Sequence, residues 1–142
     1  MKLLAILAVL ALSPSTYASD YFENVSGIEF SADSTEKCFK FDSLRTYNCI
    51  QHFYTESQEA LERTFKRISS EVKRDSTLLT DSQEKWLAFR KSECKLRAVS
   101  ASAFQNPTAQ GQLFFEACAT ELNNERVNKL NSIQLGCDSC LQ

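Results

Sequence analysis

The sequence predicts an all-α protein: an antiparallel three-helix bundle with an irregular N-terminal lead-in, stapled by disulfides. Three observations predict it. Apolar residues recur every three or four positions over three long stretches, which is the spacing of one buried helix face. The 142 residues hold only 3 glycines and 2 prolines, too few for a turn-rich β fold. Six cysteines follow what reads as an export signal, and an even set in an exported chain forms disulfides by default.

The signal occupies residues 1–18. Lys2 supplies a positive start, Leu3 to Leu12 form an apolar run, and Thr16-Tyr17-Ala18 offers a small-residue cleavage site. The run is too short to span a membrane, no stop-transfer segment follows, and no cysteine stands at the cleavage point to take a lipid. Cleavage after Ala18 places the mature chain in the periplasm or outside the cell. It removes Lys2, so the net charge of −2 becomes about −3. That acidic balance, with no Lys/Arg cluster, argues against a nucleic-acid partner.

Residues 19–46 scatter Gly27, serines, aspartates and asparagines among single aromatics, which predicts an extended lead-in with at most a short turn of helix or strand. The helical domain, 47–142, begins where the pattern changes. Ile50, Tyr54, Ser57, Leu61, Phe65, Ile68 and Val72 line one face of a long helix from Cys49 to about Arg74. Thr80, with Gln83 three residues on, has the form of a capping box and predicts the start of a second helix reaching about Phe104. Asn106-Pro107 breaks it. A third helix starts at Gln110 or Gly111 and carries Leu113, Phe114, Ala117, Cys118, Leu122, Arg126, Leu130 and Ile133. Gly136 is expected to close it at the C′ position. Short connections between long helices make sequential helices antiparallel neighbours.

That layout discriminates among disulfide pairings. At about 1.5 Å per residue, Cys94 lies ~15 Å from the end of the second helix and Cys118 ~10 Å from the start of the third, so the two are nearly level. Cys94–Cys118 is therefore expected as a cross-helix bridge. Cys49 points off its helix's apolar face, towards the lead-in that carries Cys38, and it sits at the opposite end of the bundle from Cys137 and Cys140. Cys38–Cys49 and Cys137–Cys140 follow, although both stay open to exchange if the lead-in folds back along the bundle.

Inside the second helix, Gln83, Trp86, Leu87, Arg90 and Cys94 fall on one stripe, and Arg126 holds the matching place between Leu122 and Leu130. A guanidinium inside an apolar stripe needs a carboxylate or carbonyl partner, because burial without one is very costly. Glu62, Glu121 and Glu125 are the candidate carboxylates on neighbouring helices. The reading is that Gln83, Arg90 and Arg126 form polar cross-helix ties and that Trp86 is a core aromatic; a ligand-facing role is the alternative.

Catalysis finds no support. His52, read as a solvent-facing helix residue, is the lone histidine and has no nucleophile motif beside it. Cys137-Asp138-Ser139-Cys140 follows a helix end, not a helix start, so it lacks the setting of a redox thiolate. No spacing of ligands indicates a metal, and no glycine-rich loop indicates a phosphate cofactor.

Three motifs carry a family resemblance over roughly residues 46 to 133. Asn48-Cys49 with Tyr54, Leu61 and Phe65 looks like the opening helix of the lysozyme inhibitor LprI-like family of exported bacterial proteins. "LTDSQEKWLAFRKSEC" (Leu79 to Cys94) resembles its middle motif, and "CATELNNERVNKL" (Cys118 to Leu130) its closing one. Glu62 stands where the family commonly has Asn, Phe65 replaces a usual Tyr, and the Cys137/Cys140 tail looks like an addition. The resemblance implies an all-helical secreted or periplasmic protein that inhibits lysozyme or another peptidoglycan-cleaving enzyme by binding it. It transfers no inhibitory residues. An immunity or structural protein for another toxin or envelope partner is the alternative. Glu29 to Lys37 and the loop Gln105 to Gln110 are the segments expected to meet a partner.

Overall fold

A computed structural model describes residues 19–101, 109–137 and 141. In chain order it holds β1 (Tyr21–Val25), β2 (Ile28–Ala32), α1 (Thr35–Cys38), α2 (Ser43–Glu71), α3 (Ser76–Ala101) and α4 (Ala109–Asn131). The molecule is mostly helical, and no described helix is long and apolar enough to cross a membrane. The signal segment, Phe104, the Asn106-Pro107 break and Cys140 lie outside the described residues.

The lead-in is more ordered than expected. β1 and β2 form an antiparallel hairpin in which Tyr21 pairs with Ala32 and Val25 with Ile28. Ser26 and Gly27 make the two-residue turn at φ 53° and 84°, the positive-φ pair that matches the twist of the strands. The Gly27 N–H donates to Asn24 Oδ1 at 3.2 Å. Burial alternates along both strands, with Tyr21, Glu23 and Val25 and then Phe30 and Ala32 inward, but residue polarity does not follow it, since Phe22 is exposed and Glu23 lies inward. Tyr21 and Ala32 pack with Cys38, Cys49, Ile50 and Phe53 at one end of α2. His52 is consequently half-buried and not simply solvent-facing: Nε2 lies 2.8 Å from the Ser19 carbonyl, and its ring is 5.8 Å from that of Tyr21.

α2 begins at Ser43, ahead of the expected start at Cys49. Asp42 caps it, its carboxylate accepting the Arg45 N–H at 3.3 Å. Arg45 also pairs with that carboxylate, which holds the Asp42 carboxyl below its ordinary range, and lays its guanidinium 4.0 Å over the Phe30 ring. α3 starts at Ser76, not at a Thr80 capping box. The first backbone bond runs from the Leu79 N–H to the Asp75 carbonyl, so Asp75 occupies the cap position. Thr80 Oγ donates to the Ser76 carbonyl instead, and Gln83 is used elsewhere. α4 stops at Asn131, five residues short of Gly136. Gly136 does adopt φ 77°, but in a tail turn where its N–H donates to the Leu141 carbonyl. That tail brings Ile133, Leu135 and Leu141 onto the core.

α4 packs along both α2 and α3. The pairs Gln51–Glu116, Ser57–Asn123 and Arg67–Asn131 advance together along α2 and α4. Cys94–Cys118, Arg90–Asn123 and Gln83–Arg126 run in opposite senses along α3 and α4. The apolar interior joins Leu61, Ile68, Val72, Leu79, Val127 and Leu130 at one end to the buried Cys94–Cys118 bridge and Leu122 further along. The structure joins Cys38 to Cys49 and Cys94 to Cys118, with Cα separations of 5.6 and 5.5 Å. Cys137 is also disulfide-bonded.

α3 is weakly amphipathic for a physical reason. Beside its inward stripe, Leu78, Phe89, Leu96 and Val99 stay exposed on a common outer face.

Candidate functional site

The interruption of the α3 stripe resolves into a layer of hydrogen bonds that spans three helices. Asn123 of α4 is completely buried. Its amide N–H groups donate to Ser57 Oγ and Gln58 Oε1 of α2, each at 2.9 Å, and its Oδ1 accepts from Arg90 Nη1 of α3 at 2.6 Å. Arg90 Nη1 donates to Gln58 Oε1 as well. The Ser57 hydroxyl in turn donates a hydrogen bond to the Tyr54 carbonyl at 2.8 Å. The partners of Arg90 are thus neutral carboxamides, where carboxylates were the expected candidates. Gln58 and Asn123 stand inside, level with Arg90, while Glu62 and Glu125 are exposed and Glu121 pairs with Arg97 at 3.0 Å. Burying a carboxamide is far cheaper than burying a carboxylate.

Arg126 makes the second tie. Its Nε donates to Gln83 Oε1 at 3.1 Å and its Nη2 to Ser82 Oγ at 3.1 Å. Both guanidinium carbons stand 5.6 Å from the Trp86 ring centre, so the π face of Trp86 supplies part of the negative potential that no carboxylate provides. Desolvation lowers the pKa of each guanidinium from its ordinary value, yet both stay charged at neutral pH. Trp86 is half-buried and packs against both apolar clusters. The Nε of Arg90 is buried with no acceptor, so the layer is strained in its hydrogen bonding at one atom.

This layer forms one end of a groove. Between α2 and α3 runs a cavity of ≈ 460 Å³, floored by Leu61, Phe65 and Leu87 and flanked by Glu62, Glu84 and Arg90. Leu87 lies on the expected inward stripe yet is 38% exposed, because it faces this groove.

Of the segments expected to meet a partner, Glu29 to Lys37 covers most of β2 and the start of α1. Asp33 there pairs with Lys37, which holds the Asp33 carboxyl below its ordinary range. Of the second segment, 105–108 lies outside the described residues. Its last members begin α4 beside a groove of ≈ 550 Å³ whose walls include Phe39, Phe41, Tyr47 and Leu113.

No protein of described function and no solved structure shows significant similarity to the chain. A family model, described as lysozyme inhibitor LprI, matches residues 41–130. The match opens at the α2 cap and closes in the last turn of α4, so it takes in the complete three-helix polar layer, the Cys94–Cys118 bridge and the groove. The chain belongs to the LprI lysozyme inhibitor family.

Proposed function

We propose that the mature chain is an exported inhibitor that binds and blocks a lysozyme or a related peptidoglycan-cleaving enzyme. The family match over the whole helical frame carries this reading. An up-down-up helix arrangement, tied by disulfides and a buried polar layer, supplies a preorganised surface that loses little freedom on binding. The net charge of −2, about −3 after loss of Lys2, favours encounter with basic enzymes, and glycoside hydrolases of this class work through carboxylates that a docked protein shields from substrate. Cleavage after Ala18 would deliver it to the periplasm or the medium, where the cysteines oxidise.

The test is clearing of a peptidoglycan suspension by a basic lysozyme in the presence of the purified mature chain. Inhibition at micromolar concentration that weakens as salt rises supports the reading, because steering charges are screened over about 8 Å at physiological ionic strength. Unimpeded clearing at that concentration replaces it with an immunity or structural role towards another envelope partner, to be identified by capture from an envelope extract.

A further inference from the structure

We infer that the groove between α2 and α3 seats a basic side chain, arginine or lysine, presented by the partner protein. The inference deepens the inhibitor reading and rests on it for the identity of the partner, though not for the chemistry of the groove.

The groove is an apolar trough with acidic walls. Leu61 and Phe65 of α2 and Leu87 of α3 make its floor, Glu62 stands on the α2 wall and Glu84 on the α3 wall. Most other acids of these helices are paired one turn away: Glu59 with Arg63, Glu71 with Arg67, Asp81 with Lys85 and Glu93 with Arg97, Glu56 of α2 being the exception. Among the described residues, Glu62 and Glu84 take part in no ion pair, and both are exposed. Arg90 lines one end and keeps its positive charge, but its Nη1 is turned to Gln58 and Asn123, so the lining sets two carboxylates against one guanidinium. The open stretch of the groove is therefore negative above an apolar floor.

A long basic side chain has the complementary build, an aliphatic stem to lie on Leu61, Phe65 and Leu87 and a cationic head to meet two carboxylates. A carboxylate guest would face Glu62 and Glu84 directly. An apolar guest would leave both glutamates without a partner as it excluded water from them.

The mature chain with Glu62→Gln and Glu84→Gln is compared with wild type and with a control carrying Asp20→Asn and Glu125→Gln, two exposed acids outside the groove and outside the segments expected to meet a partner, which changes the net charge equally. Inhibition of the basic lysozyme should weaken about tenfold or more in the groove variant and stay within about twofold in the control. Equal losses in both, or none in the groove variant, overturn the inference while leaving the inhibitor reading intact. A second measurement is independent of lysozyme: N-acetyl-arginine N-methylamide is titrated into the labelled mature chain and the methyl resonances of Leu61 and Leu87 are followed. Shifts at these methyls that vanish in the groove variant uphold the inference even for a chain that inhibits no lysozyme. No shift at high millimolar probe, or shifts produced by N-acetyl-glutamate N-methylamide instead, overturn it.

Discussion

Asn123 on α4 holds the Arg90 guanidinium of α3 at 2.6 Å while having no exposed surface of its own. One neutral carboxamide thus fixes a charged group from a neighbouring helix and, through its N–H groups, ties both to Ser57 and Gln58 of α2.

Asn123→Ala should destabilise the fold by about 2–4 kcal/mol, since it leaves the buried Arg90 charge and the Ser57 hydroxyl short of a partner. Urea denaturation checks it through the midpoint at unchanged slope. Replacing the pair together, Asn123→Leu with Arg90→Met, should recover most of the loss, because removing both partners avoids stranding either one. A double replacement as unstable as Asn123→Ala would show that the layer contributes more than mutual satisfaction.

Trp86 receives two guanidiniums, and the coupling is measurable. A double-mutant cycle of Trp86→Leu with Arg126→Met should return an interaction of about 0.5–1 kcal/mol, the range for a partly exposed cation over an indole. A coupling near zero would assign Arg126 entirely to its bonds with Gln83 and Ser82.

The Cys94–Cys118 bridge closes a span of 24 residues and lies in the apolar interior. Cys94→Ala with Cys118→Ala should lower stability by about 3 kcal/mol by releasing the unfolded chain. The Cys38–Cys49 bridge spans 11 residues and anchors the hairpin end to α2. Its removal should cost slightly less overall, yet hydrogen exchange should rise most in Tyr21–Val25 and Ile28–Ala32, whose buried contacts are few.

The Tyr21 phenol has its pKa pushed up to about 12, first by burial and then by the Glu23 carboxylate that accepts its O–H at 2.6 Å. The folded value lies above the unfolded value near 10, so the fold favours the protonated phenol. Its contribution to stability is complete below about pH 10 and is lost as pH climbs towards 12. Alkaline denaturation followed by circular dichroism should show this decline, and Tyr21→Phe should flatten it. An identical alkaline profile in the variant would remove Tyr21 as its cause.

Long apolar periods need only the local chain, and they were readable. Ile50, Leu61 and Ile68 on α2 and Val72 at its C-cap lie buried as their spacing implies, and Cys94 meets Cys118 because helix rise alone makes them level. The hairpin was illegible for the same kind of reason: a Ser26-Gly27 turn is a weaker signal than Asn-Gly, and an exposed Phe22 beside an inward Glu23 hides the alternation of burial from the residue types. Asn123 was missed because a carboxamide reads as a surface residue until its partners arrive from two other helices.

By itself, then, the amino-acid order determined the helices, the disulfide between α3 and α4, and the demand for polar partners at Gln83, Arg90 and Arg126, since each follows from rise, spacing and the cost of burying charge. Only the tertiary structure decided that the partners are carboxamides and an indole face, and that Glu62 and Glu84 stand over one trough. Apart from Trp86 and Arg90, which are one turn apart on α3, those relations join residues 22 to 66 positions apart, where no local period reaches and packing alone selects which side chains meet.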